Sequence, residues 1–160
     1  MSDEPALPVL GRGYYWQDLR VGQRFRTFRR TVTETDLVNF ISVTGMLEAI
    51  FIDAHYEHAA IAGRPVPGAL TYALIEGFIL QTMIQGTGLA MLELTQKIHG
   101  PVVVNDTIEA IVEVTEIRPT SKGGRAVVTS SVEVTNQRNE RVMTYTAKRL
   151  LAGHPQSGVG

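Results

Sequence analysis

Apolar and polar residues alternate with a period of two along much of the C-terminal half of the chain. The alternation is clean through residues 107–117 and returns through residues 126–135. Because successive side chains of a strand point to opposite faces, this pattern predicts strands with one buried face. Turn-forming residues at 121–124 and 136–140 separate these strands and lead into a last strand at 141–151. The pattern therefore predicts antiparallel hairpins.

The N-terminal half changes from a strand pattern to a helix pattern. Residues 22–32 predict a first strand. Thr33 is followed three residues later by the carboxylate of Asp36, which is the signature of a helix start. Apolar residues then recur at helical spacing as far as Gly45, a residue suited to ending a helix.

The middle of the chain has one region without a clear period and one that is strongly apolar. Asp53 predicts the cap of a short helix through Ala60, and residues 63–68 predict a turn-rich loop. Residues 70–85 then predict a helix that is apolar nearly all round, shorter than the roughly 20 residues that span a bilayer. Such a helix must be covered on most sides. With a further strand at 90–99, the elements predict an α+β fold in which one antiparallel sheet wraps around a long central helix.

Composition narrows the class of protein. The chain has 160 residues, of which 44% are hydrophobic, and this suits a single domain. We expect an arm at 1–13, the domain at 14–152 and a tail at 153–160.

The formal net charge of -1 argues against nucleic acid or an anionic membrane as the main partner. The absence of cysteine excludes disulfides, thiolate zinc sites and cysteine nucleophiles. An acidic, polar N-terminus is unlike a secretory signal, so we expect a cytoplasmic protein.

Short motifs lie at residues 15–23, 31–36, 43–45, 52–56 and 66–70, with lesser ones at 100–102, 121–125 and 136–138. Taken in order, from about Tyr15 to Leu151, they resemble the MaoC-like acyl dehydratase and (R)-specific enoyl-CoA hydratase family of the hot-dog superfamily. Each motif alone is weak, but the ordered set is specific. The resemblance implies a hot-dog fold that binds acyl thioesters.

The same resemblance shows where this chain departs from the family. In active members, an Asp and a His in the loop after the first helix act together to add water to an enoyl thioester. Laid on that loop, Met46 stands at the Asp and Phe51 at the His. Glu48 stands at an intervening Asn, and Pro67 replaces a His that often precedes the central-helix glycine. The scaffold is therefore retained without its acid/base pair.

Three residues are the main candidates for a remaining site. Glu48 is either a substitute acid/base group or a solvated loop carboxylate. Gly68 is interpreted, by resemblance, as the backbone N–H that polarises the thioester carbonyl, and a turn requirement explains the same glycine. Glu76 is a functional acid reaching toward an acyl tunnel, or it pairs with an arginine, or it lies where the helix meets solvent or a partner subunit.

Each remaining candidate has a structural interpretation as well as a functional one. Asp53 and His55 are possible supporting residues, although capping explains Asp53. The spacing of His55 and His58 is a poor zinc signal, so no metal is expected. The resemblance suggests Lys122 and Arg125 as binders of coenzyme A phosphates, and a solvated hairpin explains them equally. An acyl pocket is assigned to three residues that core packing also explains: Tyr72, Phe78 and Met83.

Three functions remain open from the sequence. The chain is a hydro-lyase with a rearranged site that uses Glu48 and Gly68, or a thioester-binding subunit without hydration activity, or a hot-dog thioesterase that directs water with Glu48 or Glu76. In each case acyl-CoA is substrate or ligand and no cofactor is expected. One sheet around one helix leaves an open edge, so we also expect a homodimer or a larger homo-oligomer.

Overall fold

The computed structural model describes residues 7–155. Its helices are α1 (Glu34–Thr44), α2 (Ala49–Ile52) and α3 (Gly68–Gln81), preceded by a short 3₁₀ turn at Trp16–Asp18. Its strands are β1 (Arg24–Arg26), β2 (Arg30–Thr31), β3 (Gly88–Ile98), β4 (Thr107–Pro119), β5 (Ala126–Thr135) and β6 (Arg141–Leu151). Within the described residues, no helix has both the length and the hydropathy needed to cross a membrane. The ends of the predicted arm and tail lie outside these residues.

The strands form one antiparallel sheet around α3, as the sequence pattern predicts. The strand order is β1-β4-β5-β6-β3, and β2 also pairs with β4. Alternate residues of β4 are buried, for example Ile108, Ala110 and Val112, and they join the core with the buried face of α3. That face includes Ile75 and Ile79. The fold is α+β, with the central helix held in the hollow of the sheet.

The prediction of one continuous strand over residues 22–32 is wrong, because this segment forms two strands, β1 and β2. Between the last pair of β1 and the first pair of β2, the N-terminal strand contains one residue more than β4. An extra residue interrupts a ladder in the manner of a bulge. The hydroxyl of Thr27 accepts from the Ala110 N–H at 2.9 Å, so this backbone donor remains satisfied across the break.

The start and end of α1 agree with the capping pattern. Thr33 Oγ1 accepts from the Asp36 N–H at 3.1 Å, and Asp36 Oδ2 accepts from the Thr33 N–H at 2.9 Å. Burial alone would raise the pKa of Asp36, but hydrogen bonds from Thr33 and from Arg30 outweigh it and lower that pKa. Gly45 ends the helix with a φ of 74°. That left-handed conformation favours glycine.

The short helix predicted from Asp53 to Ala60 is wrong. The helix there is α2, which ends before Asp53, and Asp53 serves as its C-cap. Beyond it, Asp53 Oδ1 accepts from the His55 N–H at 2.9 Å, which closes a turn instead of starting a helix. The apolar run at 49–52 supplies the helix because it packs on the body of the protein, a tertiary contact that local capping rules do not contain.

The central helix starts two residues earlier than predicted and stops at Gln81. The chain leading into the fold packs against this end of α3. Gly13 N–H donates to the Gln85 carbonyl at 2.7 Å, and Tyr14 N–H to the Met83 carbonyl at 2.8 Å. A Cβ on Gly13 would lie 2.5 Å from the Met83 oxygen. Only glycine allows so close an approach between these two segments.

Candidate active site

A cavity of about 370 Å³ opens at the N-terminal end of α3. Its walls come from α2, the loop before α3, α3 itself, and the segments around the end of β3 and the start of β6. Gly68 and Thr71 line it from the helix, Phe51 from α2, and Ile98 and Met143 from the sheet. The lining is almost entirely apolar. The cavity therefore suits a ligand with a hydrocarbon part, held against the start of a helix.

The backbone of Gly68 supplies one polar group at the wall of this cavity. As the first residue of α3, it has no intrahelical acceptor for its N–H, and Pro67 makes no side-chain capping bond to the helix. The positive end of the helix dipole points the same way. A Cβ at Gly68 would lie 3.0 Å from Ile98 Cδ1. Glycine thus keeps the approach to this N–H open.

Arg64 holds α2 over the cavity. Its guanidinium donates to the Phe51 carbonyl at 3.2 Å and pairs with Glu34 at the start of α1. Among the described residues, Arg64 Nε has no hydrogen-bond partner although it is buried. The arginine therefore ties the short helix to the body of the protein and fixes where the Phe51 ring lies.

The candidate residues before and after α2 do not line this cavity. Phe51 lines the cavity, whereas Met46 and Glu48 are not among its lining residues. Glu48 is exposed, and its Oε1 accepts from the Ala49 N–H at 3.0 Å as the N-cap of α2. Asp53 and His55 are exposed in the turn after α2. The structure thus brings Gly68 and Phe51 together and leaves Glu48 at the outer end of α2.

One titratable residue at this cavity was not among the candidates predicted from the sequence. His99 lies on the cavity wall, directly after β3. Its Nε2 is 2.8 Å from Thr144 Oγ1. Thr144 lies between the core-facing Met143 and Tyr145, so the imidazole is on the outer face of the sheet. His99 therefore lines the cavity while its ring nitrogen Nε2 is held by Thr144 on the outer face of the sheet.

The residues assigned to an acyl pocket are divided between two places. Phe78 and Met83 line a separate cavity of about 360 Å³ at the C-terminal end of α3, together with Arg12 and Arg26. Tyr72 instead packs edge-on against Tyr145, with ring centroids 5.2 Å apart. None of the three lines the Gly68 cavity. Their assignment to an acyl pocket stays a prediction.

Lys122 and Arg125 lie in the exposed turn between β4 and β5. Ala126, the next residue, pairs with Leu151 at the end of β6. The Gly68 cavity contains Met143, near the start of β6. The eight residues between the two points on β6 span about 26 Å. Within one chain, the two basic residues are therefore at the opposite end of the sheet from Gly68, and their role with coenzyme A stays a prediction.

A buried ionic cluster lies eight residues further along α3. Glu76 pairs with Arg149, and their side chains are only 8% and 5% exposed. Tyr145 OH donates to the same carboxylate oxygen, Oε1, at 2.8 Å. Burial, and next the charge of Glu76, raises the pKa of Tyr145, so its hydroxyl remains a donor. The structural interpretation of Glu76 as the partner of an arginine is confirmed.

The sequence contained a signal for this partner. Core-facing residues of β6 alternate through Met143, Tyr145 and Ala147, and the next in that series is Arg149. A charged residue at a core position requires a partner, and Glu76 is the buried acid of the facing helix. Elsewhere in residues 7–155, no cluster of three or more His, Cys, Asp or Glu side chains could hold a metal ion.

Comparisons with known proteins agree with this architecture. Residues 20–145 match the family described as the FAS1-like, dehydratase domain region. A 3-hydroxybutyryl-CoA dehydratase of Methylorubrum extorquens is 29% identical over 126 residues, which is 79% of each chain. The unliganded R-hydratase of Pseudomonas aeruginosa is similar in structure, with a TM-score of 0.74, 25% identity, and coverage of 91% of this chain and 96% of that one.

A more distant structure supports the fold alone. A Mycobacterium tuberculosis protein described as a double hot-dog fold superposes with a TM-score of 0.82 at 17% identity. The alignment covers 92% of this chain and 47% of that protein.

Proposed function

We propose that this chain, which belongs to the FAS1-like dehydratase region family and to the MaoC-like hot-dog proteins, binds an acyl thioester without hydrating it efficiently. The observation that carries the proposal is the Gly68 cavity, where the first residue of α3, which has no side-chain cap, borders a space with apolar walls. A thioester carbonyl suits the backbone N–H of that residue, and the acyl chain suits the walls. The similar dehydratase acts on an acyl-CoA, so coenzyme A is the proposed carrier.

The proposed lack of hydration rests on the side chains around that N–H. Addition of water across an enoyl thioester requires one group to take a proton from water and another to supply one to the α-carbon. Phe51 occupies the position of the family's His and lines the cavity, and Met46 occupies that of its Asp. Neither side chain exchanges protons. The ring of His99 points to the other face of the sheet.

Calorimetric titration with crotonyl-CoA tests the binding site through a matched pair of glycine variants on α3. Gly68→Ala places a methyl 3.0 Å from Ile98 Cδ1, the flexible end of a side chain, so the protein should fold while access to the N–H narrows. We expect affinity to fall by roughly tenfold, about 1.4 kcal/mol. In Gly77→Ala the nearest atom is Gln81 Nε2 at 3.8 Å, and affinity should not change. Equal affinity of both variants and the wild type would show that Gly68 is not the carbonyl site.

A second candidate function, hydration through Glu48, has one observation in its favour. Glu48 caps the helix whose Phe51 lines the cavity, so its carboxylate belongs to the same short element as one wall of that cavity. Loss of conjugated-thioester absorbance with crotonyl-CoA, abolished in Glu48→Gln, would support this candidate. Loss of absorbance that persists in the variant excludes Glu48 as the acid/base group. Release of free thiol, followed in parallel, would indicate a thioesterase.

We also propose that β3 is the site of homodimer formation. It is an edge strand, and all eleven of its residues are exposed, including Leu89 at 49% and Leu92 at 54%. An apolar open edge favours pairing with a second copy. Two-fold pairing of identical edges is antiparallel, so it places the partner's β4–β5 turn at the same end as Gly68. The partner subunit's Lys122 and the partner subunit's Arg125 then lie on the side where coenzyme A would leave the cavity.

A further inference from the structure

An exposed, mostly apolar furrow runs between α3 and β3, from Gly68 to the ionic cluster. Directly paired residues of antiparallel strands have side chains on the same face of the sheet. Four register pairs therefore place β3 side chains on the core-facing side: Ile98 with Met143, Gln96 with Tyr145, Leu94 with Ala147, and Met91 with Arg149. The β6 members are buried, whereas Ile98, Leu94 and Met91 are 52%, 38% and 41% exposed. The helix thus leaves this strip of β3 uncovered, and the strip is continuous with the Gly68 cavity through Ile98.

The far end of the furrow is a second cavity of about 370 Å³ with a different lining. Its lining combines apolar residues such as Leu80, Ile84 and Met91 with four polar or charged ones: Gln81, Gln85, Glu76 and Arg149. Glu76 and Arg149 are its only ionisable residues among the described part of the chain, so its formal charge is neutral. Glu76 lies eight residues after Gly68 on the same helix, a distance of about 12 Å. An extended acyl chain of roughly ten carbons covers that distance.

The hydrogen bonds of the cluster leave part of its capacity unused. Arg149 donates through Nη2, and Tyr145 through its hydroxyl, to the same oxygen, Oε1 of Glu76. The second carboxylate oxygen takes neither of these bonds. A carboxylate oxygen with unused acceptor capacity beside a cavity favours a ligand that carries its own hydrogen-bonding group.

We propose that the Glu76–Arg149 pair selects acyl groups that carry a neutral hydroxyl near their distal end. This inference rests on thioester binding at Gly68. A hydroxyl both donates and accepts, so it suits a carboxylate and a guanidinium side by side. A plain alkyl end would remove water from the pair without replacing its hydrogen bonds. A terminal carboxylate would gain from Arg149 but is repelled by Glu76.

The test compares three thioesters by calorimetry: decanoyl-CoA, 10-hydroxydecanoyl-CoA and the CoA monothioester of decanedioic acid. The wild type should bind the hydroxy ligand at least tenfold more tightly than either of the others. The double variant Glu76→Leu/Arg149→Met replaces the pair with apolar side chains, and it should prefer decanoyl-CoA. A double change at an exposed pair outside the furrow, Arg138→Met/Glu140→Leu, should leave the preference of the wild type intact.

A second variant keeps the inference testable if the double variant does not fold. Glu76→Gln retains an oxygen acceptor for Tyr145 and Arg149 and removes the negative charge. It should shift the preference at least tenfold toward the ligand with a terminal carboxylate. Binding of all three ligands within threefold by the wild type would overturn the inference alone, as would a preference unchanged in Glu76→Gln. Failure of the wild type to bind any of the three would overturn thioester binding as well.

Discussion

Removal of Arg149 should destabilise the protein far more than removal of the whole ion pair. Arg149→Met leaves the Glu76 carboxylate, 8% exposed, with one remaining recorded donor, the Tyr145 hydroxyl. Loss of one partner of a buried pair typically costs about 3–5 kcal/mol. In a domain of this size, each kcal/mol lowers Tm by roughly 2–4 °C. We therefore expect Tm to fall by roughly 10 °C or more.

The double variant Glu76→Leu/Arg149→Met removes the charge together with its partner. Replacement of a buried pair by apolar side chains of similar size is often neutral or stabilising. Its Tm should therefore lie above that of Arg149→Met and near that of the wild type. The ordering is unusual, because two changes in the core are expected to be less harmful than one of them.

Urea denaturation and thermal scans followed by circular dichroism measure these differences. The control is Arg138→Met, which breaks an exposed pair with Glu140 and should change stability by less than about 1 kcal/mol. If Arg149→Met were as mild as this control, the pair would not be buried as described. If the double variant were less stable than Arg149→Met, desolvation of an unpaired Glu76 would not be the dominant effect.

Three further predictions concern other parts of the molecule. Asp36→Asn should destabilise by about 1 kcal/mol at pH 7. Because the folded-state pKa of Asp36 is lowered, its stabilisation is present above the unfolded value and is lost as pH falls through the folded one. Urea titrations should therefore show a smaller deficit at pH 2.5 than at pH 7, and an equal deficit at both pH values would contradict this reasoning. Met46→Asp/Phe51→His should create measurable hydration of crotonyl-CoA by absorbance, and inactivity of a folded double variant would mean that these are not the dyad positions. Leu92→Lys places a charge on the β3 edge and should convert a dimer to a monomer by light scattering, whereas an unchanged mass would locate the interface elsewhere.

The helices and strands with a periodic pattern could be predicted from the sequence, because the residues that define them are close together in the chain. Alternation along β4 requires only that one face of a strand meets the core, and the hydroxyl and carboxylate of Thr33 and Asp36 cap α1 within four residues of chain. The ends of irregular segments could not be predicted from neighbouring residues in this way. The helix α2 forms before Asp53 because its apolar residues and the Arg64 contact hold it in place, and Arg64 is distant from it in sequence.

The residues of the candidate site also differ in whether the sequence could predict their position. Gly68 was identified from a motif, because a glycine that opens a helix after a proline has a local reason to be there. The pairing of Glu76 with Arg149 depends on two residues 73 positions apart, brought together by the register of β6 against α3. Glu48 shares a short stretch of sequence with Phe51, yet the first turn of α2 directs one outward and the other onto the cavity.

The amino-acid sequence by itself determined the periodic strands, the capped start of α1 and the family, since each depends on residue type and spacing along the chain. Tertiary structure alone decided which side chains share a cavity. His99 is next to Ile98 in sequence, but successive residues of an extended strand face opposite sides of the sheet, so only Ile98 meets Gly68. The furrow between α3 and β3 likewise exists only because the sheet carries one strand beyond the reach of its helix.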